Sequence, residues 1–303
     1  MSGVDGTAAL NAAKPKALPK AAEFAWARQR RADFRAAGGV LDLVLPLRAG
    51  GEGPALFCAP PLVGASWCYL SLLPHIGPEH AVYGLQSRGL RRPEPLTVDM
   101  AELARDFADR IRETRPCGPY PLFGWSVGAN MAHAIAEELE RRGEDVGLLV
   151  IGDATPQLPG KISIADDNVW LLCDFVLREF GYQPVIEPDD PDPVGHMLEL
   201  IRARPGGGLH EWPDRRVVGL PRIIRNNLAV AQRHEPGRVR CPVLFLSATR
   251  TEETTAEKVA AWAGHLDGPV DVVEVDTEHE HMLLPQPIAR IGAAIAARLR
   301  ALG

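Results

Sequence analysis

Short apolar runs alternate with helical stretches along most of this chain, and that alternation restricts the fold more than any other feature. The runs at 41–45, 55–58, 81–85, 121–124, 147–152, 242–246 and 270–275 are mostly apolar at successive positions rather than at every second one. Strands covered on both faces read this way, whereas a half-exposed strand alternates. Helical spacing replaces the pattern at 100–114, 126–142, 256–265 and 287–302. Strands separated by helices imply an α/β architecture: a mostly parallel central sheet flanked by helices.

One interval breaks the rhythm. Residues 154–240 contain no core-like strand, only three helical patterns near 168–180, 193–204 and 220–234. The breaker-rich stretches 187–193 and 206–208 lie between them. Connections in α/β units usually run about 2–6 residues, so this excursion is read as a helical lid insertion at about 157–236. The preceding segment, 1–39, is rich in Ala, Gly, Lys and Pro and holds one helical pattern at 21–37, which implies a tail and helix acting as a linker to a single domain over 40–303.

Composition excludes several classes of function. A formal net charge of −6, with arginines paired but not clustered among aromatics, argues against nucleic-acid binding. No apolar stretch approaches a membrane span, and no secretory leader is evident. The five cysteines, Cys58, Cys68, Cys117, Cys173 and Cys241, form neither an even framework nor a metal-binding spacing, so no metal is expected and a reducing cytoplasm fits best.

The chemistry centres on Gly124-Trp125-Ser126-Val127-Gly128. This is GxSxG, the turn that lifts a serine out between strand and helix in the α/β-hydrolase fold; an apolar strand precedes it and a helical run follows. Ser126 is therefore the candidate nucleophile. A serine hydroxyl needs a base, and in this fold the order is serine, acid, histidine. His279 and His281 follow the last strand, where a loop would return over the serine, and spacing does not separate them. The acid often follows the strand before the last, but 247–251 there holds no carboxylate before Glu252 and Glu253. Asp153 stands directly after the strand ending at Gly152, at the edge where ligands collect in such sheets, and is the candidate acid. For the oxyanion, one donor is the N–H of Val127. The other comes from the loop after 55–58, where Pro60 and Pro61 carry no N–H and Leu62 is the first residue that does.

These residues resemble the thioesterase domains of nonribosomal peptide and polyketide synthetases over about 41–302. The resemblance rests on Leu56-Phe57-Cys58 with Gly64-Ala65-Ser66-Trp67-Cys68-Tyr69, and on Val82-Tyr83-Gly84-Leu85-Gln86-Ser87-Arg88-Gly89. Gly118-Pro119-Tyr120 before the GxSxG turn, Arg225-Asn226-Asn227-Leu228, and His279-Glu280-His281-Met282-Leu283 complete it. It implies an acid at Asp153 and a histidine three residues before Met282, hence His279. It also implies an acyl or peptidyl chain presented on the phosphopantetheine thioester of a carrier protein, with no cofactor of the enzyme's own. Pro60-Pro61-Leu62-Val63-Gly64 departs from the His-Pro-Ala-Gly-Gly of many members and leans toward a releasing domain, by hydrolysis or macrocyclisation, over a type II editing thioesterase. A general carboxylesterase or lipase is the other enzymatic reading. No carrier-domain serine motif precedes the hydrolase, so a free-standing protein or an excised synthetase domain is expected, the Met-Ser-Gly start suiting the first.

Overall fold

The computed structural model describes residues 42–157, 168–182, 186–205 and 209–303. The tail and helix expected over 1–39 lie outside them. Seven strands form one sheet in the order β1-β3-β2-β4-β5-β6-β7. They are β1 Val44–Arg48, β2 Gly53–Ala59, β3 His80–Leu85, β4 Pro121–Trp125, β5 Leu148–Gly152, β6 Val243–Ala248 and β7 Val270–Val275. β1 is antiparallel to β3, and every other pair is parallel.

The first strand sits three residues later than the expected run at 41–45. Leu45 and Leu47 are the buried pair, while Pro46 between them faces out. An edge strand covered on one face alternates, so the earlier, denser apolar cluster misplaced its start.

The central strands feed two cores. Leu56, Cys58, Phe123, Val150, Leu244 and Leu246 face one side, while Phe57, Leu122, Leu149, Ile151 and Phe245 face the other. Helices α1 (Met100–Thr114), α2 (Val127–Arg141) and α7 (Thr255–Trp262) cover the second face. Helix α8 (Pro285–Arg300) and a 3₁₀ turn, Trp67–Leu72, cover the first. This two-sided burial explains why the strands read as continuous apolar runs.

The excursion between β5 and β6 contains α3 (Val169–Glu179), α4 (Pro193–Arg202), α5 (Asp214–Val217) and α6 (Leu220–Gln232). The four-residue α5 is too short to leave a periodic signal. Apolar residues of the excursion join the core of the first face: Trp67 packs edge-on against both Phe180 and Trp212, with centroids 6.2 and 5.1 Å apart.

Behind β4, one polar group is buried with little compensation. His133 of α2 is fully inaccessible, its Nε2 lies 3.3 Å from the His265 carbonyl, and its Nδ1 has no hydrogen-bond partner among the described residues. Burial pushes this imidazole down to about 4. The unfolded chain binds the proton near pH 6.5, so the stability tied to a neutral His133 is present above that pH and is lost as pH falls toward 4. We expect about 2 kcal/mol of unfolding free energy to disappear between pH 7 and pH 5 from this residue, because the unfolded chain takes up the proton across that interval and the folded one does not. Urea titrations at both pH values check this; His133→Leu should flatten the difference, and an unchanged slope in that variant would assign the loss elsewhere.

Candidate active site

All candidate residues converge on one edge of the sheet, through register. Ala59 of β2 lies opposite Gly124 of β4, Trp125 opposite Gly152 of β5, and Ala248 of β6 opposite Val275 of β7. The carboxyl ends of five strands therefore finish together, and the loops leaving them meet.

Ser126 follows β4 directly, with φ 59° and ψ −135°. Its N–H donates to the Gly152 carbonyl at 2.9 Å, and its carbonyl accepts from Ala129 N–H at 2.8 Å, so the turn is held from both sides. The flanking glycines are demanded by close approach. A Cβ at Gly124 would lie 2.0 Å from the Gly128 carbonyl oxygen, and one at Gly128 would lie 2.8 Å from that of Pro60. Ser126 and Asp153 are the two non-glycine residues with positive φ among the described residues. Such conformations cost on the order of 1–3 kcal/mol each and persist only where the surroundings dictate them.

Asp153 leaves β5 with φ 48° and is 5% exposed. Its N–H donates to Leu246 at 2.8 Å. The following backbone is pinned as well: Trp262 Nε1 donates to the Ala154 carbonyl at 2.7 Å, and Asn130 Nδ2 to those of Thr155 and Pro156 at 2.9 and 3.0 Å. Each carboxylate oxygen then has its own donors. Oδ2 accepts from His279 Nδ1 at 2.7 Å; Oδ1 accepts from Ala248 N–H at 2.9 Å and Lys258 Nζ at 2.6 Å. Burial alone would raise this carboxyl, but the hydrogen bonds from His279 and Lys258, with their charges, hold it below the ordinary aspartate value. An ionised Asp153 fixes the proton of a neutral His279 on Nδ1 and leaves the lone pair on Nε2.

The structure separates the two late histidines. His279 reaches Asp153, whereas His281 lies 3.5 Å from Glu278. Both belong to one 3₁₀ turn, His279–His281, after β7. Glu252 and Glu253, the other candidate acids, are exposed. The His279 ring stacks on Trp125, centroids 5.3 Å apart and 28° from parallel, which sets it beside the serine turn. The Ser126 hydroxyl itself makes no hydrogen bond among the described residues.

The loop 60–64 borders the same space. Among the described residues, neither the Leu62 nor the Val127 N–H is engaged in a hydrogen bond, while the loop's carbonyls are tied down. Asn227 Nδ2 of α6 donates to the Leu62 carbonyl at 3.0 Å, and Gly64 N–H to that of Pro61 at 2.8 Å. Tyr69, fully buried, donates its hydroxyl proton to the Ala59 carbonyl at 2.8 Å and accepts from Trp125 N–H at 3.1 Å. That one hydroxyl joins the loop to the serine turn. Sequence reading assigned no role to Tyr69, Asn227 or Lys258; their partners are distant in the chain, and only the motifs holding Tyr69 and Asn227 drew attention to them. We expect Tyr69→Phe to cost about 1–3 kcal/mol by leaving a buried carbonyl and N–H without their partner. It should also slow covalent labelling of Ser126 by a fluorophosphonate. Urea unfolding and labelling rates measure the two effects, and a variant equal to wild type in both would remove Tyr69 from the site's support.

Such an arrangement supplies a carboxylate-oriented imidazole, a hydroxyl on a strained turn, and unengaged N–H groups at Leu62, after β2, and at Val127, after β4, at the same end of the sheet. These are the parts of an acyl-transfer site. Comparison with known proteins agrees on the family. The Thioesterase domain family model matches residues 54–167. The dimodular nonribosomal peptide synthase of Bacillus subtilis (strain 168) is 34% identical over 275 residues, which cover 90% of this chain and 11% of that protein. The chain thus spans about a tenth of that relative's length. A solved four-domain nonribosomal peptide synthetase bound to AMP and glycine shares the fold with a TM-score of 0.75 at 21% identity, over 84% of this chain and 20% of that one. The NocB thioesterase domain shares it with a TM-score of 0.58 at 23% identity, over 86% of this chain and 99% of the domain. This chain has the α/β-hydrolase fold, matches the Thioesterase domain family over residues 54–167, and is similar over 90% of its own length to a nonribosomal peptide synthase.

Proposed function

We propose that this chain takes an acyl or peptidyl chain from the phosphopantetheine thioester of a carrier protein onto Ser126 and releases it by hydrolysis or macrocyclisation. The observation that carries the proposal is the 2.7 Å contact between Asp153 and His279, beside a strained Ser126. His279 Nε2 takes the Ser126 proton as Oγ attacks the thioester carbonyl. The N–H groups of Leu62 and Val127 receive the oxyanion. Collapse breaks the C–S bond, the imidazolium returns its proton to the leaving sulfur, and an ester on Ser126 remains. Water, or an amine or hydroxyl of the bound chain, then gives its proton to His279 and attacks that ester; the ester C–O bond breaks as His279 passes that proton to Oγ, which frees Ser126. The serine–histidine contact of such sites often tightens only with substrate in place.

The relatives' membership in peptide synthetases favours a carrier-bound donor. The helical excursion that starts just after Asp153 favours a covered site, because α6 holds the oxyanion loop through Asn227. Among the described residues, no helix is long and apolar enough to cross a membrane.

The test compares peptidyl thioesters, free and carrier-loaded, with short aryl esters, and follows products by mass spectrometry. We expect the larger kcat/KM for thioesters, and a product that is either the free acid or a ring one water lighter. A preference for aryl esters of more than about 10²-fold, some 2.7 kcal/mol in transition-state stabilisation, would instead identify a general esterase.

A further inference from the structure

Lys258 is the only lysine among the described residues, and it is placed where a helix least accommodates one. It stands in the first turn of α7, whose start is fixed by a capping box between Thr254 and Glu257. A cation there opposes the helix dipole. The side chain is also 4% exposed, so the ammonium has lost its water. Each of its three protons is nevertheless accounted for: Nζ donates to Asp153 Oδ1 at 2.6 Å, to Thr251 Oγ1 at 2.7 Å and to the Ala248 carbonyl at 3.0 Å. Arginine serves every other exposed or paired cation position described. A planar guanidinium could not converge three donors on one point, whereas a compact ammonium can.

A buried ion pair is weak evidence for stability, because desolvation offsets most of the attraction. Its geometry is the more informative property. With Lys258 and the Ala248 N–H both on Oδ1, the Asp153 carboxylate cannot rotate without breaking two hydrogen bonds, and Oδ2 is left to His279. The end of β6, where the sequence offers no carboxylate until the exposed Glu252, thus supplies a backbone donor and, through Thr251, a seat for a counter-cation.

We propose that Lys258 is a positioning residue for the release reaction: it locks the Asp153 carboxylate so that Oδ2 faces His279 Nδ1. It does not touch the substrate and acts through the acid. The inference rests on the assignment of Ser126, His279 and Asp153 described above, and its test is arranged to fail separately from that assignment.

Lys258→Met keeps the length and removes the charge and donors. We expect kcat on a peptidyl thioester to fall about 10²-fold, the scale of a small misplacement of reacting groups, with KM within about twofold. In an Asp153→Asn background the same substitution should change kcat by less than about threefold, because the group it acts through is already disabled. Wild-type kcat in folded Lys258→Met, alongside a large loss in Asp153→Asn, would overturn the proposal. So would a full additional 10²-fold loss in the double variant. No loss in either single variant would instead overturn the triad assignment itself. Should Lys258→Met not fold, Thr251→Val at the half-exposed end of the network provides the reading: a severalfold drop in kcat supports the proposal, and an unaltered kcat opposes it.

Discussion

Ser126→Ala should leave a folded protein that forms no acyl-enzyme. In serine hydrolases of this type, removing the nucleophile costs about 10⁶ in kcat, with residual turnover from the oxyanion donors and binding alone. The fold should tolerate the change, because the turn is fixed by backbone contacts. The Ser126 N–H and carbonyl are engaged with Gly152 and Ala129, and Gly124 presses on the Gly128 carbonyl, while the hydroxyl makes no hydrogen bond among the described residues. Removing Oγ therefore breaks nothing that holds the loop. Alanine at φ 59° meets the same backbone strain as serine, since both carry a Cβ. The check is intact-protein mass spectrometry after a thioester mimic or a fluorophosphonate. Wild type should gain one adduct and the variant none. An adduct of equal yield in the variant would place the nucleophile elsewhere.

The parts of this architecture most legible in the sequence were those recorded in consecutive residues. β4 and β5 are read nearly to the residue because they are buried on both faces and every position is apolar. The GxSxG turn is a five-residue pattern whose first glycine is required by a contact inside the same pattern, Gly124 against Gly128, while Gly128 is required by the approach of Pro60. Boundaries were less legible where two residues offer the same signal. Helix α8 starts at Pro285, two residues before its expected start, because Pro285 and Pro287 both fit a first turn whose N–H groups need no helical partner.

The site was legible only as far as chain order carries chemistry. Asp153 stands out because it is the first polar residue after an all-apolar strand. His279 and His281 could not be separated by spacing. In a turn of three residues, positions two apart point about 120° from one another, and only the packing against Trp125 decides which ring faces the acid. The supporting groups leave no local trace. Tyr69 meets Trp125 across 56 residues, Lys258 meets Asp153 across 105, and Asn227 meets Leu62 across 165. No periodicity links such positions; each contact exists because strand ends lie side by side in the sheet.

On the proposed assignment, Asp153→Asn carries the second-largest expected loss, about 10⁴ in kcat, the scale found for triad acids. The carboxamide matches the carboxylate in shape, and its oxygen can still accept from Lys258 and Ala248. Held that way, its NH₂ faces His279 Nδ1. That nitrogen must then accept instead of donate, the imidazole proton moves to Nε2, and the base meant for Ser126 has no lone pair to offer. Stability should fall as well, because Lys258 keeps its charge with a neutral neighbour; unpairing a buried ion pair costs about 3–5 kcal/mol when the partner is removed outright, and less when an oxygen remains. Adding Lys258→Met to Asp153→Asn removes the stranded cation and should recover part of that stability without recovering turnover. Urea unfolding and single-turnover kinetics on the three variants separate the two effects. A loss under about tenfold for Asp153→Asn, far short of the triad range, would transfer the acid's role to Glu252 or Glu253 and require the loop after β6 to rearrange toward His279.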